Sequence, residues 1–189
     1  MQKLVVFNSV SLDGFFTTAD GDLSWMYKSP KDEEWHEFVA GNAKGGGTLL
    51  FGRVTYEMMS SYWPTPMAAQ NDPVVAKEMN ALKKVVFSRT LDKTTWNNTT
   101  LVKTDPLKSV RGMKKESGNG MAVLGSGSIV SLLAQEGLVD EFQLVVHPVI
   151  VGKGRSMFEG MKGRLNLKLN SSRTFKNGCV VLSYEPAPR

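Results

Sequence analysis

Apolar positions along this chain switch between short continuous runs and helical spacing. The runs from Met1 to about Val10, Thr48 to Phe51, Lys84 to Ser88, Thr100 to Lys103, Met121 to Leu124 and Phe142 to Ile150 predict buried strands. Helical spacing lies between them. Trp35, Phe38 and Val39 share one face, and Ile129, Leu132 and Leu133 fall at i, i+3 and i+4 before a stop at Gly137. Ser29-Pro30-Lys31-Asp32 predicts a helix start with Ser29 as N-cap and Pro30 at the first position, and the helix should end at Gly45-Gly46-Gly47. Asp72-Pro73 and Asp105-Pro106 repeat that start signature, and Gly52-Arg53-Val54-Thr55 opens another helix. Residues 62 to 72 predict a loop, as does the Asp- and Gly-rich stretch between Asp13 and Trp25. Leu165, Leu167 and Leu169 alternate into a hairpin that turns near Asn177-Gly178 and returns through Val180, Leu182 and Tyr184. Strands alternating with helices and closing in an antiparallel pair predict an α/β protein, with a mainly parallel sheet and an antiparallel edge. No internal repeat or long linker interrupts residues 1–189, so a single domain is expected.

Composition narrows the classes without naming one. The chain has 189 residues, 41% hydrophobic and 22% charged, enough for one well-buried core. No apolar run approaches 18 residues, so no membrane partner is expected. The N-terminus lacks a signal-peptide pattern, which makes cytoplasmic residence the default expectation. Cys179 is the single cysteine, and with His36 and His147 it shows no ligand spacing, so neither a disulfide framework nor a metal site is expected. The net charge of +5 is spread along the chain with no basic block longer than a Lys-Lys pair. That pattern argues against a nucleic-acid partner and suits a phosphate-bearing small molecule.

The candidate chemistry sits at strand ends. Gly125-Ser126-Gly127-Ser128 stands between a strand and a helix. Glycine admits close backbone approach there, and unpaired helix N–H groups face an anion. Gly52-Arg53-Val54-Thr55 and Ser88-Arg89-Thr90 follow two other strands and add guanidinium and hydroxyl groups. Ligands of open α/β sheets lie beyond the carboxyl ends of the strands, so three such turns point to a dinucleotide phosphate. Elsewhere, Trp35 with Phe38 and Cys179 read as core, and His147 reads as a structural histidine. Asp140 and Glu141 read as fixing a strand start, and Lys153 and Arg155 suit either a substrate phosphate or a subunit contact.

Gly-Arg-x-Thr-Tyr-Glu at 52–57, Val-Phe-Ser-Arg at 86–89 and the block from Leu124 to Phe158 resemble the dihydrofolate-reductase superfamily. Ser11-Leu12-Asp13-Gly14, Leu138-Val139-Asp140-Glu141 and Pro148-Val149-Ile150-Val151-Gly152-Lys153-Gly154 are similar to one branch of it, typified by the C-terminal reductase domain of bacterial bifunctional riboflavin-biosynthesis proteins. The resemblance implies a dihydrofolate reductase-like three-layer fold, a homodimer and NADPH as cofactor. It implies that Gly52, Arg53 and Thr55 approach the cofactor phosphates, that Ser88 and Arg89 hold the 2′-phosphate side, and that Gly125, Ser126, Gly127, Ser128 and Ile129 cradle the pyrophosphate. Guanidinium groups at these ends favour NADP over NAD.

The implied reaction is hydride transfer to a small pyrimidine or pterin, of the 5-amino-6-ribosylaminouracil-phosphate type in riboflavin biosynthesis or of the pterin type. A non-catalytic NADP(H)-binding protein is the alternative. At the reacting end the resemblance implies Asp13 and Asp32 as candidate acids, with Asp13, Gly14 and Trp25 contacting substrate. Trp25, Pro30 and Asp32 resemble the Trp-x-x-Pro-x-Asp region of classical dihydrofolate reductases with a longer Trp-to-Pro gap. On local chemistry alone, Asp13-Gly14 also suits a turn and Asp32 a first-turn helix acid. The His-x-Glu and Pro-Cys-x-x-Cys signature of a zinc deaminase does not occur in this sequence.

Overall fold

The computed structural model describes residues 1–26 and 32–188. Strand β1 (Leu4–Ser11) and a short β2 (Phe15–Thr18) lead to helix α1 (Glu33–Lys44), strand β3 (Thr48–Gly52) and helix α2 (Arg53–Tyr62). Helices α3 (Pro66–Asn71) and α4 (Pro73–Ala81), strands β4 (Lys83–Phe87) and β5 (Thr99–Val102), and helix α5 (Pro106–Lys115) follow. Strand β6 (Met121–Leu124), helix α6 (Gly127–Gln135), and strands β7 (Glu141–His147), β8 (Gly154–Ser156), β9 (Leu167–Thr174) and β10 (Val180–Pro186) complete the chain.

Eight strands form one sheet in the order β5-β4-β3-β6-β1-β7-β10-β9. The β5-to-β7 part is parallel throughout, and β10 pairs antiparallel with both β7 and β9. This is the mainly parallel α/β sheet with an antiparallel edge that the sequence predicts. Side chains of β1 alternate between two cores. Leu4 and Val6 join Val110 of α5 and Leu133 of α6 on one face, while Phe7 packs with Trp35 of α1 and Phe175 on the other. Tyr56 of α2 and Val75 and Met79 of α4 cover Leu49, Phe51 and Val86 beside them. Each fully buried Leu or Val contributes about 1.5–3 kcal/mol by leaving water, which fixes a helix–sheet–helix layering.

Helix starts follow local chemistry. Asp105 accepts from the Leu107 amide ahead of Pro106, and Asp72 precedes Pro73 as N-cap of α4. Five expectations need correction. The stretch from 62 to 72 is not all loop, because Thr65 accepts from the Ala68 amide and starts α3 at Pro66. The N-cap of α1 is Asp32, whose carboxylate accepts from the Trp35 amide at 3.0 Å, while Ser29, Pro30 and Lys31 lie outside the described residues. The Asp- and Gly-rich stretch after Asp13 contains β2, which pairs antiparallel with β8 and ties the loop after β1 to the 148–158 segment. Strand β7 ends at His147, before Pro148, and Ile150 is exposed. The alternating Leu167 and Leu169 lie on an exposed edge strand rather than over a core. Among the described residues no helix is long and apolar enough to cross a membrane.

Candidate functional site

The glycine turn after β6 is braced from two sides. Asn8, buried on β1, donates through Nδ2 to the Gly125 carbonyl at 3.0 Å and to Met157 Sδ, while its Oδ1 accepts from the Gly125 amide. From α2, Thr55 Oγ1 accepts from the Ser126 amide at 3.0 Å. The Ser126 hydroxyl accepts from the Gly52 amide at 2.9 Å and donates to the Leu124 carbonyl at 3.0 Å. Gly125 has φ +56°, and a Cβ there would sit 2.8 Å from Thr55, so the turn and α2 approach closely only because this residue is glycine. A Cβ on Gly127 would press on the Phe16 ring at 3.1 Å.

These bonds redistribute the expected roles. The amides of Gly52, Gly125 and Ser126 already have acceptors, and the Ile129 amide donates to the Ser126 carbonyl while its side chain is buried in the core. The amides of Gly127 and Ser128 lie in the first turn of α6, which provides them no acceptor. Together with the positive end of the helix they form an anion-competent pair. Gly52, Arg53, Thr55 and the residues from Gly125 to Ser128 all line one cleft of about 1250 Å³. Arg53 is half exposed there and ion-paired with Glu57 at 2.9 Å. Ser88 and Arg89 do not line the cleft. They stand beyond β4, next to β3; the Ser88 hydroxyl accepts from the Thr90 and Leu91 amides, and Arg89 is exposed.

At the reacting end, the predicted acids serve first as braces. The Ser11 hydroxyl donates to Asp13 at 2.6 Å, and the amides of Val151 and Gly152 donate at 3.2 and 2.8 Å. The Ser11 bond, with help from these amides, holds the Asp13 carboxyl below the usual carboxylate range. Asp32 caps α1 and accepts from Asn177 Nδ2 at 3.0 Å. Gly14 forms the β1–β2 turn, and neither it nor the two acids line the cleft. Trp25 does not line it either, although its neighbours Leu23 and Met26 do. The Trp25 ring instead meets His147 edge-on at 5.5 Å.

His147 is 1% exposed, and burial lowers its pKa to about 4. One ring nitrogen lies 3.0 Å from the Ser9 hydroxyl and the other 3.6 Å from Cys179 Sγ. Burial, then the charge of Asp32, raises the Cys179 thiol to about 11, so the thiol keeps its proton. A thiol donating to Nδ1 leaves Nε2–H to donate to Ser9, whose own O–H then points away from the histidine. Ser9 lines the cleft. The residues missed from sequence are Asn8 and Ser9, Phe16 on β2, and Glu159, all in the cleft lining, where Arg155 of the expected Lys153–Arg155 pair also stands. For Asn8 a signal existed, since a polar residue inside an apolar strand run must find partners. Among the described residues no cluster of three His, Cys, Asp or Glu side chains could hold a metal ion.

The model of the RibD C-terminal domain family matches residues 2–181. Uncharacterized protein YyaP of Bacillus subtilis (strain 168) is 31% identical over 183 residues, covering 97% of this chain and 94% of its own. Among solved structures, a candidate riboflavin biosynthesis protein of Shewanella sp. PV-4 superposes with TM-score 0.76 at 19% identity over the whole of both chains. The diaminohydroxyphosphoribosylaminopyrimidine deaminase/5-amino-6-(5-phosphoribosylamino)uracil reductase of Thermotoga maritima gives TM-score 0.66 at 14% identity, over 98% of this chain and 57% of that one. At these identities the structural likenesses speak for the fold.

Proposed function

The chain belongs to the RibD C-terminal domain family, and from that premise we propose that it is an NADPH-dependent reductase of a pyrimidine or pterin. The observation that carries this reading is the braced glycine turn, which opens with the N-terminus of α2 into a single large cleft. A Cβ on Gly125 would collide with Thr55 and one on Gly127 would press on Phe16, so the close turn needs both glycines, and the Gly127 and Ser128 amides suit a pyrophosphate. Arg53 would meet the same phosphates by exchanging its Glu57 partner. Arg89, exposed beyond β4 and outside the cleft lining, would supply the guanidinium for a ribose 2′-phosphate, with Ser88 shaping its turn.

When bound, NADPH supplies a hydride to the substrate carbon and is left as NADP⁺, while the ring nitrogen gains a proton. The chain's contribution is orientation. Ser9, held by neutral His147, offers a hydroxyl to a ring acceptor inside the cleft, and the β1 floor sets the plane of the heterocycle. Asp20 and Glu159 are the carboxylates of the cleft lining among the described residues, both exposed, so the proton arrives by way of the solvent side.

The test is equilibrium binding of NADPH and NADH, followed by NADPH oxidation with a panel of pyrimidines and pterins. NADPH should bind more tightly than NADH, and Arg89→Ala should erase most of that preference. Absence of NADPH binding would sink the proposal. A non-catalytic NADP(H)-binding protein is favoured by one observation: Asp13 and Asp32 are engaged as braces rather than aimed into the cleft. Binding without oxidation of any substrate in the panel would select that reading.

A further inference from the structure

Strand register sets three side chains in one row across the floor of the cleft. Phe7 of β1 pairs with Leu124 of β6 on one side and with Gln143 of β7 on the other, and all three line the cleft. Paired residues of parallel strands point to the same face of the sheet, so the row is continuous. Leu124 is the last residue before the glycine turn. At about 4.8 Å per strand, Gln143 stands roughly 10 Å from the start of that turn, with Phe7 between them. Ser9, the next residue of β1 on this face, lies diagonally from Gln143, about 8 Å away between Cα atoms.

Most polar side chains around this row already have partners. Asn8 clamps Gly125, and the Ser9 hydroxyl meets His147. Ser183, which pairs with Gln143 from β10, donates to Glu141 at 2.7 Å. Gln143 differs. Among the described residues its carboxamide makes no hydrogen bond, and neither of its polar atoms is sealed from the cleft. A half-buried carboxamide beside Phe7 keeps an N–H donor and a carbonyl acceptor side by side for what enters. Covering it with a guest that pairs with neither would cost the desolvation of both, so the fitting guest carries the complementary pair.

We infer that Gln143 determines substrate specificity by pairing with a lactam edge, an N–H beside a C=O, on the six-membered ring of the heterocycle. This rests on the reading of the glycine end as the cofactor site, which sets the reacting ring over Phe7, one strand away. The Gln143 carbonyl accepts from the ring N–H, and its amide NH₂ donates to the ring carbonyl. Ser9, one diagonal step along the floor, meets a second acceptor of the same ring. A site built to hydrogen-bond both groups rejects a ring that leaves them unpaired.

Lumazine, whose pyrimidine ring carries lactam edges, and 2,4-diaminopteridine, in which amino groups replace both carbonyls, serve as paired probes. Each is titrated by fluorescence into wild type, Gln143→Met and Gln143→Glu, with and without saturating NADP⁺, beside a separate NADP⁺ titration of each protein. Lumazine should bind the wild type, and Gln143→Met, which keeps the length and removes the amide, should weaken it at least about tenfold. Gln143→Glu sets two acceptors where an acceptor and a donor stood. It should weaken lumazine and strengthen the diamino compound, which offers two donors as an amidinium, so that the ratio of the two affinities moves at least about tenfold. NADP⁺ affinity should be the same in all three proteins. A side chain that merely shaped the floor would shift both probes together. Lumazine binding that is absent from the wild type or unchanged in the methionine variant, or a ratio that the glutamate variant leaves unmoved, overturns the inference. The methionine variant keeps the test open should the added charge disturb folding. Failure of NADP⁺ to bind, with the probe results as expected, overturns the cofactor reading and leaves the role of Gln143 standing.

Discussion

Asn8→Asp isolates the brace on which the glycine turn depends. The side chain is 5% exposed and clamps both the amide and the carbonyl of Gly125. Aspartate keeps the shape and the acceptor facing the amide, but replaces the Nδ2 donor with an oxygen aimed at the Gly125 carbonyl and at Met157 Sδ. An ionised carboxylate cannot stand there, so the folded protein must protonate the group, and its pKa in the fold rises above the unfolded value of about 3.9. The protonated form donates to the carbonyl and restores the clamp. A group with a raised folded pKa contributes its full stability below the unfolded pKa and loses it as pH rises toward the folded value. Holding the proton costs about 1.4 kcal/mol per pH unit above 3.9, which bounds the loss at about 5 kcal/mol at pH 7.5. Urea unfolding of variant and wild type at pH 5.5 and 7.5 reads the difference directly. The variant's deficit should shrink by up to about 3 kcal/mol at the lower pH, and NADPH affinity should recover with it. A deficit that is small and the same at both values would mean that the Asn8–Gly125 bond carries no energy, and the account of the turn would be wrong.

Other perturbations test the remaining parts. Burial holds His147 near pKa 4 against an ordinary 6.5; the unfolded chain takes up that proton first, so stability should fall by about 3 kcal/mol as pH drops from 6.5 to 4, and a His147→Gln urea series should lack that slope. Lys84, 1% exposed, donates from Nζ to the carbonyls of Met79, Asn80 and Leu82 at the end of α4 and lies 4.4 Å from the Trp96 ring centre. Lys84→Met removes this donor from all three carbonyls, of which Asn80 keeps Asn98 Nδ2, and should cost about 2–4 kcal/mol by urea unfolding; a loss under about 0.5 kcal/mol would refute the capping role. Asp13→Asn sets an amide against the Gly152 N–H. It should raise KM for the heterocycle while leaving the pH profile of kcat unchanged; a break in that profile that disappears in the variant would restore Asp13 as the acid.

The fold was largely legible because its signals are local. Strand runs carry their own hydrophobicity, and Asp72-Pro73 and Asp105-Pro106 start helices with chemistry confined to neighbouring residues. What escaped depends on distant partners. The short β2 exists because β8, far along the chain, pairs with it. The same limit explains Leu167 and Leu169: alternation predicts a face, but burial requires a covering layer, and β9 at the sheet edge has none over it. The short α3 was missed for a different reason. Thr65-Pro66 is a start signature as good as the others, but it lies in a Pro-rich stretch that favours a loop reading.

The candidate site divides along a sharper line. Sequence reveals what a side chain can do, whereas its partner in the fold determines what remains for a ligand. Thr55, Ser126, Asp13 and Asp32 are all ligand-type residues, and each has a structural partner: the Ser126 amide, the Gly52 amide, the Val151–Gly152 amides and the Trp35 amide. Under the proposed function, phosphate recognition would therefore shift from side chains to the backbone, to the Gly127 and Ser128 amides at the start of α6. Backbone amides bind an anion well only if they are held in place, because ordering a loose loop on binding costs affinity. The side chains expected to bind ligand are thus the ones that keep the cradle fixed. Substituting Thr55 or Asn8 should weaken cofactor binding by loosening the turn, even where neither side chain touches the cofactor.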